Sequence, residues 1–282
     1  MRQKVLLLDH NNVLFFCQPQ HIHENLLNGG WQIIEQFLII LNSYLNYHKP
    51  DIVFCLGDGS PKWRKELLNK YKENRKEIEV NLLREAFKRN RHKLNHILKL
   101  LPLYFIRHLS LEADDLSYIV SKYLNERGDY DIVAVSTDKD WIQLYNYFDN
   151  VSIFNQFKKK VVEKFDVNIV NYKCLAGDNS DDIKGFNGIG GVRARKILKN
   201  KDTFYQWYNS LKKDEQEYFQ TLRKIISFKY IPENYIKEVE EMIDEYIFLD
   251  EVHPKFYRDV KKLHIDRDYS KVIENLNKLK EL

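Results

Sequence analysis

Lys4-Val5-Leu6-Leu7-Leu8-Asp9 is the stretch whose reading decides the fold. A short, continuously apolar run bounded by charge is the pattern of a strand buried on both faces, as in parallel sheets. Its last residue is an aspartate. The design recurs at Ile52-Val53-Phe54-Cys55-Leu56-Gly57-Asp58, and again at Asp131-Ile132-Val133-Ala134-Val135, which runs into Ser136-Thr137-Asp138-Lys139-Asp140. Helical patterns separate these runs. Trp31, Ile34, Phe37, Leu38, Leu41 and Leu45 space one long helix that Pro50 stops; Leu116, Ile119, Val120, Tyr123 and Leu124 space another. Strands alternating with helices imply βαβ units, so the fold class is α/β, a central, mostly parallel sheet flanked by helices. Ligands of such sheets bind beyond the carboxyl ends of the strands. One aspartate there is explained as a turn former. Three strands ending alike point to a shared site.

Leu111-Glu112-Ala113-Asp114-Asp115-Leu116 strengthens that reading. Its three acids fall in the first turn of the second helix, where the dipole favours negative charge. The dipole steadies one carboxylate, not three. Crowded like charges need a compensating cation, or some must stay protonated. The cluster therefore reads as a divalent-metal site, against the plainer alternative of a solvated, acid-rich helix start. Carboxylate oxygens are hard ligands that suit Mg²⁺ or Mn²⁺, and the lack of a Cys/His cluster argues against zinc. His21 and His23 lie in an irregular stretch, 12–30, and read as surface-loop histidines.

The 282 residues suffice for a real core, and the 44% hydrophobic and 30% charged residues describe a globular chain. Cys17, Cys55 and Cys174 are odd in number and sit in apolar surroundings, so reduced, buried thiols and a cytoplasmic setting are expected. No apolar run approaches membrane-spanning length, and residues 5–8 are too short for a signal-peptide core.

Charge is unevenly distributed. Residues 62–99 hold thirteen Lys or Arg against five Glu, a local excess of +8, twice the net charge of +4 for the whole chain. A basic segment between acidic strand ends suggests a polyanion held close to metals; a solvated helical hairpin with snorkelling lysines is the alternative. Lys158-Lys159-Lys160 reads as a charged hairpin tip. Further on, Gly185, Gly188, Gly190 and Gly191 enforce tight turns before a helix whose free N–H groups form a phosphate site. Arg193, Arg195 and Lys196 add positive charge, while Asp178 and Asp181 tie this grip to more carboxylates. After residue 200 come aromatic-rich helices, and a final amphipathic helix (Val272, Ile273, Leu276, Leu279) is expected to pack on the domain.

In order along the chain, Asp9, Leu56-Gly57-Asp58, Tyr71-Lys72-Glu73-Asn74-Arg75, Glu112-Ala113-Asp114-Asp115, Ser136-Thr137-Asp138-Lys139-Asp140-Trp141 and Gly177-Asp178 through Gly190 resemble the 5′-nuclease family, particularly the phage flap endonucleases and their phage ribonuclease H relatives. The resemblance spans about residues 4–200. It implies a PIN-like nuclease core at 1–170, including a helical arch at 62–108, and a helical DNA-binding region at 171–282 with a helix–three-turn–helix at 178–198. It implies two or more metal ions held, directly or through water, by Asp9, Asp58, Glu112, Asp114, Asp115, Asp138, Asp140, Asp178 and Asp181. Lys72 and Arg75 match the cationic pair that contacts the scissile phosphate. Candidate DNA contacts are Arg64, Tyr71, Lys88, Arg89 and Arg91 in the arch, and Gly188, Gly190, Arg193, Arg195 and Lys196 in the second motif, whose loop usually binds a monovalent cation, K⁺. The implied activity is hydrolysis of phosphodiester bonds at 5′ flaps and 5′ ends, in replication or repair, on branched or nicked DNA, with RNA–DNA hybrid a further candidate. A monomer is expected. No motif supports a single-strand-binding protein as partner. His10 departs from a small residue, often glycine; Asp182 replaces a common asparagine and Gly191 a common proline or alanine.

Three rivals compete. A primase- or topoisomerase-like metal domain wants glutamate where this chain has Asp9. A haloacid-dehalogenase-like phosphatase needs an aspartate where Asn11 stands. A non-catalytic DNA-structure binder has no need for nine positioned acids.

Overall fold

The three apolar runs form parallel neighbours in a six-stranded sheet, seen in a computed structural model that describes residues 2–17, 31–68, 71–72, 82–263 and 267–282. The strands are β1 (Gln3–Asp9), β2 (Ile52–Gly57), β3 (Tyr104–Arg107), β4 (Tyr130–Val135), β5 (Val151–Asn155) and β6 (Lys160–Val161), in the order β3-β2-β1-β4-β5-β6. The first five are mutually parallel and β6 returns antiparallel, with Lys158 and Lys159 in the connecting turn. Register explains why the acids meet. Leu8 pairs with Cys55 on one side and Val135 on the other, so the chain leaves β1, β2 and β4 at the same edge. Strand β3 was not legible as a strand. Its four residues follow a helix closely and carry no alternation long enough to read.

Alternation along the strands divides the core in two. Leu6, Leu8, Val53 and Cys55 point to one face, which is covered by α2 (Trp31–His48) and the end of α4 (Leu82–Leu98). Val5, Leu7, Phe54 and Leu56 point to the other, covered by α5 (Ala113–Arg127) and the 3-10 segment Lys139–Asn146. A third cluster lies beyond the acidic edge and joins Tyr71 to α6 (Ile169–Ala176), α7 (Gly191–Leu198) and α9 (Lys213–Ile226), with α8 (Lys201–Ser210) beside it. The later helices return to the sheet: α10 (Glu233–Asp244) to the second face, α11 (Lys255–Lys262) and α12 (Ser270–Leu276) to the first. Leu276 is fully buried, as expected of the final amphipathic helix. Cys17, Cys55 and Cys174 are buried and free.

Residues just after β1 are helical rather than irregular. Asp9 caps α1 (His10–Phe16) by accepting a hydrogen bond from the Asn12 N–H at 3.1 Å. A short helix with no apolar period is invisible until its cap is seen. α3 (Lys62–Leu67) opens the basic stretch.

His48 closes α2 in a buried position, edge-on to Tyr47 and Phe154, and its Nε2 has no partner among the described residues. Burial, helped by Lys4, pushes the imidazole down to about 4. The unfolded chain therefore binds this proton first, and stability falls as pH drops from about 6.5 to about 4. His48→Phe keeps the ring contacts and removes the proton. Urea titrations at pH 7 and pH 4 should show the acid-side loss reduced by on the order of 2 kcal/mol relative to the parent.

Candidate metal centre

Asp9 ends β1, buried, with Oδ2 accepting the Ser136 hydroxyl at 2.7 Å. Asp58 follows β2. Its Oδ1 accepts the Ala113 N–H at 2.7 Å and its Oδ2 the Asn11 amide at 2.6 Å. The start of α5 is thus pinned to the end of β2. A reciprocal cap holds that start, since the Glu112 N–H donates to Asp115 Oδ2 at 3.1 Å. Asp138 caps the 3-10 segment by accepting from the Asp140 N–H at 2.9 Å, which turns Asp140 inward. Asp178 caps the short 3-10 turn Asn179–Asp181, accepting from the Ser180 N–H at 2.9 Å. The cluster is therefore built largely from carboxylates at chain turns, as the sequence suggested.

Among the described residues, three cations stand among these acids. Arg64 is buried and grips Asp115 with both guanidinium ends, at 2.6 and 2.5 Å, while its Nε donates to the Ile225 carbonyl at 2.9 Å. Lys72 reaches Glu112 at 2.7 Å and Asp181 at 3.3 Å. Lys173, from α6, bonds Asp140 and lies 2.7 Å from Asp178. Tyr71 donates to Glu112 at 3.2 Å and contacts Asp181 at 3.4 Å.

Carboxylates crowded in a low-dielectric recess resist ionisation. Burial, then the charge on Asp58, holds Asp9 well above the usual carboxylate range; burial, then Asp115, does the same to Asp114. Asp58 is raised by burial and Glu112, and Asp181 by burial that Lys72 only partly offsets. Asp138 is exposed at the rim; surrounding protein and Asp140 push it up to about 6, an effect that water at its open side weakens. Burial also raises Asp178, but Lys173 outweighs it and leaves that carboxyl below its usual value. Burial works to lower the Lys173 ammonium; Asp140 and Asp178 prevail and hold it above its ordinary value.

The donor set fits a hard divalent cation. Among the described residues nine acids, six of them buried, face three cations, and burial drives several of the acids toward protonation. Asp114, Asp140 and Asp181, with Tyr71, Arg64 and Lys173, also line a small cavity of about 10 Å³, close to the space of a single water-sized sphere. Among the described residues, no three acidic, histidine or cysteine side chains yet converge as a ready-made ion cage. Their oxygens are turned onto the three cations, Ser136, Asn11 and backbone N–H groups.

Three of the expected site residues sit deeper than a surface role requires. Arg64 and Tyr71, expected among the DNA contacts, are 2% and 3% exposed and committed to the acids. Asp115, expected among the ion ligands, is fully buried with both its oxygens held by Arg64. Lys88 and Arg89 are exposed on α4, whereas Arg91 is half-buried, its guanidinium pushed down by burial and Arg107. Gly188, Gly190, Arg193, Arg195 and Lys196 are exposed around the start of α7. Gly188 adopts φ +70°, which favours glycine, and Arg193 closes the turn by donating to its carbonyl at 3.2 Å. Arg75, His21 and His23 lie outside the described residues. Sequence reasoning missed Lys173, Asn11 and Ser136. Lys173 left one trace, as the only charged residue in Ile169-Val170-Asn171-Tyr172-Lys173-Cys174-Leu175.

Comparison with known proteins follows the same lines. The family described as 5′-3′ exonuclease, N-terminal resolvase-like domain, matches residues 4–174. A 5′-3′ exonuclease of Mycoplasmopsis pulmonis is 29% identical over 261 residues, 84% of each chain. The flap endonuclease Xni of Shewanella loihica is 27% identical over 74% of this chain and 81% of that one. DNA polymerase I of Caldicellulosiruptor bescii is 30% identical over 74% of this chain, which spans only 26% of that relative. A bacteriophage T5 flap endonuclease, solved with DNA and metal ions, superposes with a TM-score of 0.67 at 19% identity, over 93% of this chain and 99% of that one.

Two outcomes follow from the electrostatics. Arg64→Met leaves Asp115 charged and unpaired at full burial, so chemical denaturation should show a loss of about 3–5 kcal/mol. Raised carboxyls such as Asp9 and Asp114 bind protons in the folded state that the unfolded chain has already released. Metal-free stability should therefore fall as pH rises from the usual carboxylate range toward neutrality. Asp114→Asn should flatten that fall in melting curves taken between pH 4 and 7.

Proposed function

This chain belongs to the 5′-nuclease family of the 5′-3′ exonuclease N-terminal domain, and from that premise we propose that it is a divalent-metal-dependent nuclease hydrolysing phosphodiester bonds at 5′ flaps and 5′ ends of DNA. The observation that carries the reading is the excess of buried carboxylates over cations where β1, β2 and β4 end. Asp9, Asp58, Glu112, Asp114, Asp138, Asp140, Asp178 and Asp181 are the residues that would hold the ions, Mg²⁺ or Mn²⁺ on the chemistry of their oxygens. Bound there, such ions supply an activated water and neutralise charge on the leaving 3′ oxygen.

The chain's own groups do the rest. Lys72 holds an ammonium at the cluster, poised between Glu112 and Asp181, where it would stabilise charge on the scissile phosphate. Arg75 is assigned the same role by the family pattern. An open cleft of about 690 Å³ runs from Asp138 and Asp140 past Lys139 to Asp178 and Arg195, where Arg195 lies over Phe165 and Tyr172. It leads from the acids to Arg195 in the last turn of α7; the free N–H groups at the start of that helix, with exposed Arg193 and Lys196 on it, suit a DNA backbone. Exposed Lys88 and Arg89 place further positive charge on α4, the candidate arch helix. Branched or nicked DNA with a free 5′ end is the proposed substrate, with RNA–DNA hybrid as a second and K⁺ as the proposed ion of the 185–190 loop. Among the described residues no helix is long and apolar enough to cross a membrane; we assign the chain to the cytoplasm, as a monomer.

Cleavage of a 5′-labelled flap substrate tests this. Asp138→Asn should lower the single-turnover rate in Mg²⁺ by about 100-fold or more while changing DNA affinity in Ca²⁺ less than about threefold. Parent protein that binds flap DNA but never cleaves it in Mg²⁺ or Mn²⁺ would leave the non-catalytic binder as the better account.

A further inference from the structure

Lys173 is a charged side chain, 6% exposed, on a helix otherwise apolar toward the core. Its ammonium is committed to two carboxylates from different parts of the chain, Asp140 of the 3-10 segment and Asp178 of the turn that precedes α7. Both are among the residues assigned to ion binding. The small cavity lined by Asp114, Asp140 and Asp181 has Lys173 in its wall. A divalent ion entering there meets an Asp140 oxygen already held by the lysine.

We infer that Lys173 is a tethered resident cation that fills one ion position in the resting protein and must release Asp140 and Asp178 before a second divalent ion can bind there. The inference rests on the reading of this cluster as a metal centre. Its physical basis is competition. Removing either the lysine or the ion leaves buried carboxylates uncompensated, so one cation replaces the other rather than adding to it. Lys72 and Arg64 are placed differently. Lys72 bridges Glu112 to Asp181, and Arg64 is locked bidentately to Asp115, so among the described residues Lys173 is the cation that holds both Asp140 and Asp178. One ion position thus answers to acids at the strand ends, and another is guarded.

The test is Mn²⁺ binding to the full chain without DNA, followed by titration calorimetry and by electron paramagnetic resonance of free Mn²⁺. The parent should show one tighter and one weaker class of site. Lys173→Met should tighten the weaker class by about tenfold or more, while Lys173→Arg, which keeps the charge, stays near the parent. Metal-free Lys173→Met should melt below the parent and gain more from Mn²⁺ than the parent does; a lysine with a purely structural role would lower both melting temperatures equally. Lys173→Gln replaces the methionine variant if that one does not fold. In the parent itself, the ¹⁵N signal of the Lys173 ammonium should shift at the second equivalent of Mg²⁺. Unchanged Mn²⁺ affinities in the charge-removing variants, or an unmoved ammonium signal at saturating Mg²⁺, would overturn the inference and leave the metal centre standing. No Mn²⁺ bound by any of the proteins would overturn both.

Discussion

Mutual repulsion among buried carboxylates is the constraint to which this structure answers. Parallel strands that end in register deliver Asp9, Asp58 and Asp138 to one edge, and the first turn of α5 adds Glu112, Asp114 and Asp115. The α5 dipole, the Ser136 hydroxyl, the Asn11 amide and several backbone N–H groups each hold part of the charge. None of them carries a whole positive charge. Arg64, Lys72 and Lys173 do, and the arrangement of the third hydrophobic cluster around the site follows from where those three must reach.

The cations also knit the chain together. Arg64 ties α3 to α5 and, through the Ile225 carbonyl, to α9. Lys72 joins the basic stretch to the turn at Asp181, and its own N–H donates to the Asp181 carbonyl at 3.2 Å. Lys173 joins α6 to the 3-10 segment after β4. Each contact therefore closes a long loop of sequence over the acidic edge. A buried ion pair gains little over an apolar one in stability alone. Here the pairs bring elements of the third cluster up to the strand ends, which places Arg195 of α7 in the same cleft as the acids.

Much of this was readable in advance. Apolar strands closed by aspartate have a short-range signature, because the middle of a strand buried on both faces is apolar and its polar residues gather at the ends. The acid-rich start of α5 and the glycine-rich approach to α7 are likewise local. Strand β3 was too short to register. Helix α1 has no apolar period and is declared only by the Asp9 cap. Composition gave the basic character of residues 62–99 but not the separate fates of its side chains. Arg64 turned inward to Asp115, whereas Lys88 and Arg89 stayed exposed.

By itself, then, the order of residues determined the α/β class, the strands that carry acids and the family to which the chain belongs, since each is written in runs of neighbouring residues. Only the tertiary structure decided which cation meets which acid: that Asp115 is closed by Arg64, that Tyr71 lies buried beneath Glu112 and that Lys173 stands between Asp140 and Asp178. The reason is physical. A charge pair depends on distance through space in a medium of low dielectric, and residues 51 or 33 positions apart carry no local mark of such a meeting.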